Sequence, residues 1–203
     1  MEFSFDNFDG SAKYRQLLNT GKALFFRYGV QRVSVEEICN KAHVSKMTFY
    51  KYFENKEELF LFIVKAFYDW GGNVFLEIWS GPGTFVEKIR QAVHLKMQIS
   101  NDFSKELIMD LMNSPYPKVR EAMAEYQEYW VKKILGFYID AQQKGEIRQD
   151  IKPEFILYVL NQVSMWAEDE NLMAIYDDPR DLLREVLNFY INGLIAREPI
   201  VSK

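Results

Sequence analysis

Apolar residues along this chain recur at three- and four-residue spacing. No stretch of any length alternates apolar and polar with period two, so helices are predicted throughout. The first is predicted from about Ala12 to Tyr28. Tyr14, Leu17, Leu18, Gly21, Leu24, Phe25 and Tyr28 share one face, and Gly29 follows as the stop. Ser34 opens a second helix, because its hydroxyl can accept from a free first-turn amide, and Glu37 completes a capping box. Val35, Ile38, Cys39 and Ala42 form its inward face, and His43 and Val44 make the turn. Ser45 caps a third helix, Lys46 to Phe53. Phe49 and Phe53 point inward there, leaving Lys46, Met47, Thr48, Tyr50, Lys51 and Tyr52 outward. Cations meet phosphates and short side chains approach base edges, so such an outer face suits the DNA major groove.

Asn55 caps a fourth helix, with Leu59, Phe60, Ile63, Val64 and Phe67 carrying its apolar face onward to Trp79. Ser80-Gly81-Pro82-Gly83 breaks the chain. Thr84 caps a helix to about Ser100, and Asp102 another to about Met112. A long helix is predicted over Val119 to Lys144, stopped by Gly145. Pro153 suits the first turn of the next, and Asp178-Pro179 begins the last. The expected fold is all-α, about nine helices. An N-terminal three-helix bundle with a helix-turn-helix is joined by a linking helix to a larger helical body. The domains are read as a flexible arm (1–10), a DNA-binding domain (11–56) and a ligand-binding and dimerisation domain (57–203). The last two helices are apolar on more than one side, so they need a second partner, which either the same helices of another subunit or, in a monomer, the 84–112 helices would supply.

Charge sharpens this division. The formal net charge is −4. Residues 11–56, however, hold nine Lys/Arg against three Glu, a net of +6, and residues 57–203 hold 16 basic against 23 acidic, a net of −7. Phosphate contact is thereby confined to the N-terminal module. The single cysteine excludes an internal disulfide and fits a reducing cytoplasm. The N-terminus lacks the basic start of a signal peptide, and the longest apolar run, Leu59 to Val64, is too short to span a membrane.

The run Val44-Ser45-Lys46-x-Thr48-Phe49-Tyr50-x-Tyr52-Phe53-x-Asn55-Lys56-Glu57-x-Leu59 resembles the TetR family of bacterial repressors. Leu17-Leu18, Ala23-Leu24-Phe25, Gly29 and Ser34 extend the resemblance over about the first 60 residues. Two positions depart, since His43 and Met47 stand where the family usually has glycine. His43 is therefore expected to hold a left-handed turn conformation. The resemblance implies a homodimer on a palindromic operator, released by a small molecule. It implies that Ser34, Ser45, Tyr50, Tyr52 and Lys56 hold phosphates, while Lys46, Met47, Thr48 and Lys51 lie at or near base edges. Lys56 would share a phosphate with the first-turn amides of the fourth helix. The protein would work in the cytoplasm, at the nucleoid, without cofactor or membrane.

The effector is expected to be a largely apolar or aromatic molecule. Candidate lining residues are Trp79, His94, Met97, Met109, Tyr126, Trp130, Phe137, Gln162 and Trp166, although aromatic and Met residues at helical spacing are more often core. The two histidines have no metal-ligand spacing, and Glu168-Asp169-Glu170 with Asp177-Asp178 read as a solvated loop. Cys39 reads as a small buried hydrophobe. No Gly-rich phosphate loop, nucleophile elbow or catalytic carboxylate pair is present, so an enzyme is not expected. Two other readings stay open: a helical carrier or enzyme for an apolar small molecule with a vestigial DNA module, and a helix-turn-helix protein that binds another protein.

Overall fold

The structure, a computed structural model, describes residues 3–100, 103–112, 114–166, 169–176 and 179–195. Among them are ten helical segments and no strand: α1 (Ala12–Tyr28), α2 (Val35–Lys41), α3 (Lys46–Tyr52), α4 (Lys56–Ser80), α5 (Phe85–Ser100), α6 (Lys105–Met112), α7 (Pro117–Gln143), α8 (Pro153–Trp166), α9 (Glu170–Met173) and α10 (Pro179–Leu194). The all-α architecture is the predicted one. α9 is a single turn that no periodicity announced.

Caps fix the early boundaries. The side chains of Ser11, Ser34, Ser45 and Asn55 accept from the amides of Tyr14, Glu37, Thr48 and Glu58, three residues on in each case. Each satisfies a first-turn donor that has no partner within its own helix. The capping box at Ser34 differs from its sequence signature, because the Glu37 carboxylate pairs with Lys41 at 3.1 Å. α6 starts later than a cap at Asp102 would place it, and Asp102 lies outside the described residues. Ser104 does the capping: its Oγ accepts from Leu107 N at 3.1 Å, and its own N–H donates to Phe26 O at 3.0 Å.

The chain divides into two compact units, residues 1–81 with 90–126 and residues 82–89 with 127–203. Packing therefore does not divide the chain at 56/57. α4 and α6 belong with the DNA-binding segment, because the apolar face of α4 completes its core.

In the first unit, Leu17, Leu18, Phe25, Ile38, Phe49, Leu59, Phe60 and Ile63 are fully buried. Gly21 sets how closely α1 and α4 approach: a Cβ there would stand 3.0 Å from both Ile63 Cδ1 and Leu59 Cδ2. By length and composition alone α4 could cross a membrane. Its Leu59, Phe60, Ile63, Val64 and Phe67 are buried in this core instead. The expectation of a loose N-terminal arm is corrected here. Phe3 and Phe5 are buried, Phe5 N donates to Asn19 Oδ1 at 2.9 Å, and Phe3 packs edge-on to Phe67. The alternating aromatics Phe3 and Phe5, with Phe8, carried that signal.

The second unit is built on α7, α8 and α10. Tyr138, Ala141, Ile147, Ile156, Leu182, Tyr190, Ile191 and Leu194 are buried in it. The hydroxyls of Tyr138 and Tyr190 meet at 2.5 Å. Gln142 Nε2 donates to the carbonyls of Arg148 and Ile151, holding the turn that follows Gly145. Apolar side chains also face outward here: Phe155, Tyr158 and Phe189 are each more than half exposed.

Candidate nucleic-acid interface

α2, the turn and α3 form the helix-turn-helix. The turn depends on His43, which adopts φ 53° as its replacement of glycine demanded. Val44 N then donates back to Cys39 O at 3.0 Å, closing the corner. Cys39 is buried, and burial pushes its thiol above the ordinary range, with nearby Lys46 opposing and Glu36 adding. That fits a packing role rather than a redox one.

Phe49 and Phe53 anchor α3 from beneath, at 0% and 4% exposure. Its outer surface is what remains. Met47 is 82% exposed and Tyr50 56%. Lys46 Nζ pairs with Glu36 of α2 at 3.1 Å. The hydroxyls of Thr48 and Ser45 meet at 2.9 Å. Met47, Thr48, Tyr50 and Lys51 line one shallow, open depression. Tyr52 is half-buried, its ring 4.9 Å from that of Tyr14 and its hydroxyl 2.9 Å from Ser11 Oγ. Ser34 and Ser45 hold their helix caps with their oxygens facing solvent.

Lys56 stands differently from the rest. Its ammonium donates to Val30 O, Gln31 O and Val33 O at 2.9, 3.1 and 2.8 Å. An ammonium has three donors, and all three are committed to the α1–α2 loop. Desolvation lowers its pKa, with Glu57 and Asp110 opposing. This geometry stands against the expected phosphate contact, because a phosphate would have to displace carbonyls already in place.

Sequence reasoning missed the partner of that loop. Asp110, on α6 and only 6% exposed, accepts from Val30 N at 2.6 Å and from Gln31 Nε2 at 2.8 Å. Gly29 precedes these residues at φ 74°, and a Cβ there would come within 2.5 Å of Asp110 Oδ2. Glycine is thus required twice over, by conformation and by space. One carboxylate and one ammonium clasp the loop that leads into α2. A signal existed: Asp110 falls three residues after Leu107 on the apolar face of α6, where a carboxylate needs a buried reason.

The candidate effector residues fall in both units. Trp79, His94, Met109 and Tyr126 belong to the first unit, and Trp130, Phe137, Gln162 and Trp166 to the second. His94 is exposed, Trp166 is 38% exposed and Met109 64%. Trp79 stacks on Phe75 within α4. Tyr126 donates its hydroxyl to Asp69 and to Lys65 O, which makes it a tie between α7 and α4. The side chain of Met97 lies outside what the structure describes. So do Glu168, Asp177 and Asp178 of the acidic loop and the side chain of Glu170. Among the described residues no group of three or more His, Cys, Asp or Glu could hold a metal ion.

Comparison with known proteins agrees with this geometry. Residues 17–63 match the family model described as bacterial regulatory proteins, tetR family. Over 46 residues the chain is 46% identical to the Transposon Tn10 TetC protein of Escherichia coli, a match spanning 23% of each chain. Over 197 residues it is 27% identical to the HTH-type transcriptional repressor DhaR of Mycobacterium sp. (strain GP1), covering 93% of this chain and 95% of that one. The crystal structure of regulatory protein TetR from Rhodobacter sphaeroides shares the fold, with a TM-score of 0.72 at 20% identity over 91% of this chain and all of that one. Residues 17–63 thus form a tetR-family segment, and over nearly its whole length the chain has the fold of the Rhodobacter sphaeroides regulatory protein TetR.

Proposed function

We propose that the protein is a homodimeric repressor that binds a palindromic operator and is released by a small, largely apolar or aromatic effector. The observation that carries the reading is the outer face of α3. A buried Phe49–Phe53 base fixes the helix, and Met47, Tyr50 and Lys51 stand clear of the module's core. Tyr50, Tyr52, Ser34 and Ser45 would meet phosphates, while Lys46, Met47, Thr48 and Lys51 face base edges. The repressor role is supported by the DhaR relative.

The exposed Phe155, Tyr158 and Phe189 of α8 and α10 support a dimer through these helices, because apolar side chains this large favour a covering partner. Two readers on a two-fold axis would meet half-sites about 34–36 Å apart. An effector favouring a form with another spacing would release DNA in proportion to its differential affinity for the two forms.

Selection of bound fragments from a sheared genome by the purified protein, with Tyr50→Ala alongside, tests this. The proposal expects a short palindrome that the variant recovers weakly. A fragment pool that matches the variant's at low and moderate salt would overturn it.

A further inference from the structure

We propose that Met47 reads the C5-methyl group of thymine in the major groove. The proposal rests on the DNA-binding role of α3 and deepens it by naming the base. The N-terminal residues of a recognition helix reach base edges first. In α3 these are Lys46, Met47 and Thr48. Two of the three have their polar ends engaged within the module. Lys46 Nζ is drawn to Glu36 of α2 at 3.1 Å, and the Thr48 hydroxyl lies 2.9 Å from Ser45 Oγ. Met47 has no such tie and is 82% exposed, the most exposed of the module's large apolar side chains.

A single exposed methionine on a protein surface needs no explanation. This one sits on the second residue of the reading helix, at the lip of a depression shared with Thr48, Tyr50 and Lys51. A thioether donates no hydrogen bond and accepts one only weakly, so Met47 cannot discriminate guanine O6/N7 or adenine N6/N7 by hydrogen bonding. The thymine methyl is the apolar group that base edges present in the major groove. The flexible, polarisable Met side chain can adapt to it, and contact removes apolar surface of both from water.

The test is a cycle between protein and base. Each thymine of the selected operator is replaced in turn by deoxyuridine, which removes only the methyl group. Affinity is measured for the unaltered protein, Met47→Ala and Met47→Leu. At one symmetric thymine position the unaltered protein is expected to lose about fourfold per half-site, and about fifteenfold when both are replaced, on the scale of one buried methylene. Met47→Ala is expected to bind thymine and deoxyuridine operators equally, and Met47→Leu to keep part of the preference. A deoxyuridine penalty of the same size in Met47→Ala would overturn the assignment while leaving DNA binding intact. An operator without thymine under α3 would do the same. Failure to recover any operator would remove the DNA reading itself, and this inference with it.

Discussion

The two units treat apolar surface in opposite ways. In the first, α1 to α4 bury a continuous core, and the large apolar side chains of these helices that stand farthest out are Met47 and Tyr50 on the α3 face. In the other, a buried centre around Tyr138 and Ile156 coexists with Phe155, Tyr158 and Phe189 in solvent. On the proposed function, the exposed Met47 and Tyr50 of the first unit belong to a reading surface. The C-terminal unit leaves Phe155, Tyr158 and Phe189 exposed, the surface proposed for the dimer. Large changes inside the first unit should therefore act on folding, and changes at the exposed residues of the second should act on association.

The largest effect is expected at the centre of the first unit. Phe25 is fully buried, edge-on to Phe60 at 5.3 Å. Phe25→Ala should cost about 3–5 kcal/mol, seen as a lower denaturation midpoint. Asp110→Ala should cost about 2–3 kcal/mol, because it leaves the buried Val30 N–H without its acceptor. A neutral result at Asp110 would mean that the loop is held without α6.

The tyrosine pair comes next. Burial raises the pKa of both Tyr138 and Tyr190. Unfolded tyrosines ionise near pH 10 while the folded pair stays protonated, so the unfolded state binds fewer protons there. The pair's contribution is thus complete below about pH 10 and is lost as pH rises further. Alkaline denaturation should weaken in the Tyr138→Phe/Tyr190→Phe double variant. Tyr190→Phe alone should cost about 1–2 kcal/mol at neutral pH by leaving a buried hydroxyl unpaired. The smallest folding effect is expected at Phe189, which is 74% exposed. Phe189→Ser should change unfolding by about 0.5 kcal/mol or less, yet weaken self-association in sedimentation equilibrium. An unchanged oligomeric state would break the comparison.

The first 60 residues were legible because their signals are local. Serine and asparagine caps, a glycine stop and aromatic spacing place α1 to α4 within a residue of where they lie. His43 could be read as left-handed for the same reason. The carbonyl contacts of Lys56 could not be read from spacing alone. Its acceptors lie 23 to 26 residues away in sequence, and only the folded loop brings three carbonyls to one ammonium. Asp110 meets its partners across about 80 positions. Nor does spacing separate core from ligand lining, since Met and aromatic residues at helical intervals satisfy both. Met109 and Tyr126 show the ambiguity, one in solvent and the other a tie to α4.

The central claim is that Lys56 braces the fold while Lys51, exposed on the outer face of α3, would face DNA. The salt dependence of binding to the selected operator tests it most directly. Each phosphate neutralised contributes about 0.9 to the slope of log affinity against log salt. Lys51→Ala is predicted to flatten that slope by about one such contact. Lys56→Ala is predicted to leave the slope unchanged while lowering the denaturation midpoint. A slope flattened by Lys56→Ala, with stability intact, would contradict the account and return Lys56 to the phosphate backbone.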